Sequence, residues 1–144
     1  MELAINEISF NSEEYQALLH FRNQWLRQPL GLNLMDEDLS MDKQDKILVV
    51  QQQDEIVGCI MIHPVDEHQV KFRQMAIHPR LQGKGIGKVL LEDAEQSAKE
   101  MGAKKVVLHA RATAVPFYEK SGYQPFGEPF VEVTIPHLAM QKDI

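Results

Sequence analysis

The chain has 144 residues, 44% hydrophobic and 25% charged, which suits one compact globular domain with room for a real core. Its net charge of −6 argues against a nucleic-acid backbone as main partner, because that footprint needs a basic face. One cysteine, Cys59, excludes an internal disulfide and offers no metal cluster, and no membrane-length apolar run or basic signal-peptide start is present. A single cytoplasmic domain over 1–144, without metal or membrane contact, is therefore expected.

In chain order, Leu3–Ile5 and Ile8–Phe10 predict a first strand. Asn11-Ser12 followed by Glu14 predicts a capped helix start, and Tyr15, Leu18, Leu19, Arg22, Trp25 and Leu26 fall on one helical face. Pro29 and Gly31 end that helix. Leu34 to Lys46 is irregular and acidic, with Asp36, Glu37, Asp38, Asp42 and Asp45 against Lys43 and Lys46. It is either a lure for a cationic acceptor or a solvated loop. Ile47–Gln53 and Ile56–His63 predict a hairpin joined across Asp54-Glu55, with Cys59 in its apolar core. Pro64 and Asp66 mark the next turn, before a strand ending at Ile77.

The segment Gln82-Gly83-Lys84-Gly85-Ile86-Gly87 then separates this strand from an amphipathic helix over Ile86–Met101. A strand that enters a helix through a glycine loop leaves backbone N–H groups free at the positive end of the helix dipole, and glycine lets a bulky anion come close. A Walker A loop is excluded, because Gln82 replaces its first glycine and Val89 follows Gly87-Lys88 where a hydroxyl is needed. A dinucleotide fingerprint is excluded because Lys88 occupies its third glycine position. What remains is a Q-x-x-G-x-G loop suited to another cofactor's pyrophosphate, or an ordinary strand-to-helix turn.

Past Gly102 the pattern predicts a strand over Lys105–Ala110, a short helix near Pro116, and two tail strands. Those strands are read as Tyr123–Phe126 and about Phe130–Met140, the second interrupted or bulged near Pro136. The order β, α, loop, β-β-β-α-β-α-β-β implies an α/β fold with a mixed sheet flanked by helices on both faces.

The glycine loop, together with Ala114-Val115-Pro116-Phe117-Tyr118-Glu119-Lys120-Ser121-Gly122-Tyr123 downstream, resembles the GNAT family of acetyl-CoA-dependent N-acetyltransferases. Arg73-Gln74-Met75-Ala76-Ile77 and the tail Ile135-Pro136-His137-Leu138-Ala139-Met140 look most like its bacterial ElaA-like branch. The resemblance is specific over Gln69 to Met140. It implies a splayed central sheet whose opening holds the pantetheine arm against the backbone of Met75, Ala76 and Ile77. It also implies that Gln82, Gly83, Lys84, Gly85, Ile86, Gly87 and Lys88 form the pyrophosphate loop. Arg111 stands where many members carry an asparagine that contacts the cofactor, and Phe117 is read as core or a cofactor wall.

The implied reaction is direct acetyl transfer to a primary amine, small-molecule or peptide. Tyr118 is the resemblance's candidate for protonating the leaving thiolate, since a phenol near pKa 10 can serve a thiol near 8.5. His137 is the leading base for the acceptor, with Glu132, His109 or a chain of waters as alternatives. Arg73 and Arg111 could hold an acidic substrate group or the cofactor, or form structural ion pairs. An acyl-enzyme at Cys59 is disfavoured by its apolar strand. Two readings stay open beside this one: a non-catalytic acetyl-CoA-binding sensor, and the same chemistry with another acyl-CoA. Exposed edges in the tail admit a homodimer.

Overall fold

The computed structural model describes residues 2–144. Seven strands form one sheet in the order β1-β2-β3-β4-β5-β7-β6. The strands are β1 (Leu3–Ile8), β2 (Lys46–Gln52), β3 (Glu55–Pro64), β4 (Gln69–Ile77), β5 (Lys105–Arg111), β6 (Gln124–Glu132) and β7 (Ile135–Asp143). The helices are α1 (Glu13–Leu26), α2 (Ile86–Glu100) and α3 (Val115–Lys120). Every neighbouring pair is antiparallel except β4 and β5, which are joined through α2 and run parallel. Among the described residues, no helix is long and apolar enough to cross a membrane.

The central strands are apolar on both sides because both faces are covered. In β2 and β3, Ile47, Val49, Cys59 and Met61 join Tyr15, Leu18, Leu19 and Phe21 of α1. Their alternate neighbours Leu48, Val50, Ile60 and Ile62 pack with Leu90, Leu91, Ala94 and Ala98 of α2. The helical face expected from the sequence is largely the buried one, with Phe21 added and Trp25 only half-buried. Ser12 stands at the N-cap of α1, but its side chain makes no capping hydrogen bond. The acidic segment contains two short 3₁₀ turns, Leu34–Asp36 and Ser40–Gln44.

The tail differs from its expected division. Phe130 to Glu132 belong to β6, and β7 starts at Ile135 and runs unbroken to Asp143. The irregularity lies at Gly127, with φ 74, in the register shift between Phe126 and Phe130. Pro136 pairs in register with Val131, beyond the last β5–β7 pair at Arg111 and His137, so its missing N–H interrupts no β5 bond. The hairpin closes through Val133 and Thr134 at φ 44 and 70. Glycine or asparagine would be the ordinary choice for such a turn.

Candidate functional site

β4 and β5 pair only from Gln69 opposite Lys105 to Phe72 opposite Leu108. Beyond that point β4 continues to Ile77 and β5 to Arg111 without pairing, so the sheet splits. A bulge bends β4 at this place: its register against β3 shifts between Cys59 and Met61, and Gln74 adopts φ 55. The Cys59 thiol donates to the Gln74 carbonyl at 3.1 Å. Buried behind the bulge, that thiol is pushed up to about 12, which rules it out as a ready nucleophile. The split widens into a cavity of about 940 Å³ that reaches from the α2 face of the sheet to the α1 face.

On the α2 face, the Gln82 side chain donates to the Ile77 carbonyl at 3.0 Å and ties the glycine loop to the end of β4. Gly83 and Gly85 have φ 77 and 80, and a Cβ on either would meet no atom within 4 Å. Left-handed backbone beside open space suits a close-lying ligand. Helix α2 has Gly85 as its N-cap, no side-chain cap and no acidic residue in its first turn. Its first N–H groups and the positive end of its dipole are therefore left for an anion. Met75, Ala76, Ile77, Gln82, Gly83, Gly85, Ile86, Gly87 and Lys88 all line the cavity, whereas Lys84 is exposed outside it. A Cβ on Gly87 would stand 3.3 Å from Phe117, so glycine there brings α2 and α3 together.

Tyr118 lies on α3 with its ring edge-on to Phe117 and Tyr123, at centroid distances of 5.1 and 5.7 Å. Its hydroxyl donates to the Met75 sulfur at 3.3 Å, a weak acceptor that a better one can displace. Burial pushes this phenol up to about 12.

The α1 face is different in kind. Val106, Leu108 and Ala110 of β5 point into the α2 core, so by alternation His109 and Arg111 face the other way. Lys71 and Arg73 of β4 do the same opposite Val70 and Phe72, and register places His137, Phe130 and Glu132 on this face too. Here α1 packs mainly on β2, β3 and β4. The result is a charged floor of Lys71, Arg73, His109, Arg111, Glu132 and His137, all lining the cavity.

His137 is buried, and its Nδ1 lies 2.9 Å from the Ile135 carbonyl. A carbonyl only accepts, so Nδ1 carries a proton, and whenever the ring is neutral its lone pair is on Nε2, 3.8 Å from a Glu132 oxygen. His109 Nδ1 lies 2.9 Å from the other Glu132 oxygen. Burial acts to raise the Glu132 carboxyl, but the hydrogen bond from His109 and the charges of His109, His137 and Lys71 outweigh it and lower it. Arg111 donates to the Leu26 carbonyl at the end of α1, at 3.0 Å.

Within the acidic segment, Asp42 and Asp45 are turned inward, whereas Asp36, Glu37 and Asp38 stay exposed. Asp42 is buried, accepting from Tyr15 at 2.6 Å and pairing with buried Arg22 at 2.7 Å. Arg73 pairs with Asp42 and Asp45, and His63 lies 2.6 Å from Asp45. Arg73 is thus a structural ion-pair member that clamps the segment to β4. Glu37 pairs with Arg27 at the cavity rim, and Asp38 accepts from the Ser40 amide. The signal missed in the sequence is that Asp42 and Asp45 have fixed partners on α1, β3 and β4, distant along the chain.

Similarity to known proteins supplies the family. The model of the acetyltransferase (GNAT) domain matches residues 9–144. The chain is 26% identical over 137 residues to the Bacillus subtilis N-acetyltransferase YjcF, itself uncharacterized, covering 94% of this chain and 97% of that one. Escherichia coli ElaA superposes with a TM-score of 0.86 at 21% identity, covering 98% of this chain and 99% of its own. A GNAT acetyltransferase of Elizabethkingia anophelis with acetyl-CoA bound superposes at 0.74 and 19% identity, covering 99% and 98%. At these identities the two structural likenesses speak for the fold alone. The match over 9–144, with the split sheet and glycine loop in place, makes the chain a member of the GNAT acetyltransferase family.

Proposed function

We propose that this chain, acting as a single cytoplasmic domain over 1–144 and without a metal, moves the acetyl group of acetyl-CoA to a primary amine by direct attack in a ternary complex. The observation that carries the reading is the split between β4 and β5 opening onto the uncapped start of α2. The exposed edge of β4 at Met75, Ala76 and Ile77 can take the amide-rich pantetheine arm as an added strand would be taken. The N–H groups of Gly83 to Lys88 face the pyrophosphate, Lys88 adds charge, Gln82 holds the loop, and Phe117 walls the arm. The open space beside Gly83 and Gly85 fits this use, because a side chain at either would project into it.

Bound acetyl-CoA supplies a thioester carbon for the amine and a thiolate that leaves. As the new C–N bond forms and the C–S bond breaks, His137 Nε2 takes the proton that the amine must lose. The Tyr118 hydroxyl turns from the Met75 sulfur to the departing one. With its phenol at about 12, against roughly 8.5 for a free thiol, Tyr118 stays protonated and acts chiefly as hydrogen-bond donor to the developing charge.

Replacing Gly85 with glutamine tests the cradle. The variant carries backbone strain at φ 80, so the readout is the ligand-dependent shift in melting temperature and the acetyl-CoA Kd by calorimetry, not stability itself. Both should show binding in the parent and none in the variant. An unchanged Kd would overturn the cradle assignment.

A further inference from the structure

This inference rests on the proposed acetyl transfer and concerns what accepts the acetyl group. Of the cations on the α1 side of the cavity, Arg27 is paired with Glu37, and Arg73 with Asp42 and Asp45. Lys71 and Arg111 take part in no ion pair among the described residues. Lys71 Nζ comes to 3.4 Å from His109 Nδ1, but that nitrogen donates its proton to Glu132 at 2.9 Å and offers the ammonium no lone pair. Arg111 uses Nη2 on the Leu26 carbonyl, and none of its other donors has a partner among the described residues. A guanidinium carries five N–H donors in a rigid fork, so most of this one is open to the cavity. Burial and the like charge of Arg27 both work against the charge on Arg111, and an anion brought alongside would relieve both.

The position of this cation narrows the anion. Arg111 and His137 are direct register partners on neighbouring strands and share a face, so their Cβ atoms stand roughly 4.5–5.5 Å apart. One small molecule can reach both. A polyamine would bring a further positive charge against Lys71 and Arg111, and a phosphate dianion would meet Glu132 and Glu37 in the same cavity. A single carboxylate near an amine satisfies the whole set.

We propose that the acceptor is an amino acid, its carboxylate held by the free donors of Arg111 and its amine presented to Nε2 of His137. The test uses L-amino acids and β-alanine, each beside its own carboxamide, with spermidine as the cationic control. Because amidation also changes amine basicity, binding is measured by calorimetry with CoA present, alongside turnover with acetyl-CoA. The acids should bind the parent more tightly than their amides by roughly 10- to 100-fold, the size of hydrogen bonds to a charged group. Arg111→Gln should erase that difference by raising KM for the acids while leaving kcat and the amides within a few-fold, and Arg111→Lys should restore part of it. Equal binding of acids and amides, a preference for spermidine, or an equal loss for acids and amides in Arg111→Gln would overturn the proposal. Acids that bind selectively without being acetylated would uphold the anchor and sink the transfer reading. Acetylation of amides as readily as acids, with equal binding, would do the reverse.

Discussion

On the α2 side of the split sheet the cleft is walled by backbone: the free edge of β4, the left-handed turns at Gly83 and Gly85, and the bare first turn of α2. On the α1 side it is floored by side chains, with Lys71, His109, Glu132, Arg111 and His137 arriving from four strands. The first wall is local in sequence and offers what any CoA thioester needs, donors for phosphates and a strand edge for amides. The second depends on how β5, β6 and β7 are registered, and each side chain is a separate choice of charge. A domain can in this way keep one half of a cleft for a shared ligand and set the other half for its own acceptor.

The largest expected effect breaks the support of the charged side. Asp42→Asn leaves Arg22 buried without its counter-charge, and severing a buried pair costs about 3–5 kcal/mol. Chemical denaturation should show that loss at neutral pH, with acetyl-CoA affinity in the remaining folded protein close to the parent's. Burial acts to raise the Asp42 carboxyl, but its bond from Tyr15 and the charges of Arg22 and Arg73 outweigh this and lower it. A carboxyl lowered in the folded state stabilises fully above its unfolded value, roughly pH 3.9, and that share is lost as pH falls through the folded value. The gap between parent and variant should therefore narrow only in strong acid. A gap constant with pH would contradict the ionised role.

Next in size is Tyr118→Phe, which removes the hydroxyl and leaves the ring between Phe117 and Tyr123. Turnover should fall on the order of 10²-fold, with little change in the Kd for acetyl-CoA. Since the phenol sits at about 12, its ionisation should cause no alkaline loss of activity between roughly pH 7 and 10. An alkaline limb in that range that vanishes in Tyr118→Phe would count against this assignment. Smallest is Gln82→Ala, which cuts the tie to the Ile77 carbonyl. One neutral hydrogen bond of about 0.5–1.5 kcal/mol corresponds to a roughly 2- to 10-fold weaker acetyl-CoA Kd. If Arg111→Gln weakened acetyl-CoA as much as Gln82→Ala does, the division between the two sides would blur.

The same contrast explains what could be read from the sequence. Strand β4, the glycine loop and α2 announce themselves within one short stretch, and Tyr118 sits inside a recognisable helix start, so that half was legible. The bulge at Gln74 was not, because a lone glutamine at φ 55 carries no compositional mark. Nor was the Val133-Thr134 turn, since β-branched residues are poor candidates for positive φ, and the tail strands were divided in the wrong place as a result. Asp42 and Asp45 looked like solvent-facing acids because Arg22, Arg73 and His63 are distant in sequence and reach them only through the fold. His137 is marked in the sequence by its Ile135-Pro136-His137 motif alone. Its pairing with Arg111 across β5 and β7 becomes visible only in the register.

The most direct measurement is stoichiometric: acetyl-CoA is incubated with the protein and a panel of amino acids, amides, amino sugars, polyamines and lysine peptides, and free thiol and N-acetylated product are counted together. The account predicts thiol release that depends on an amine and matches product mole for mole, and that drops about 10²-fold in Tyr118→Phe. Tight acetyl-CoA binding, with thiol release no faster than without protein for every amine, would contradict it and make this chain a binding module.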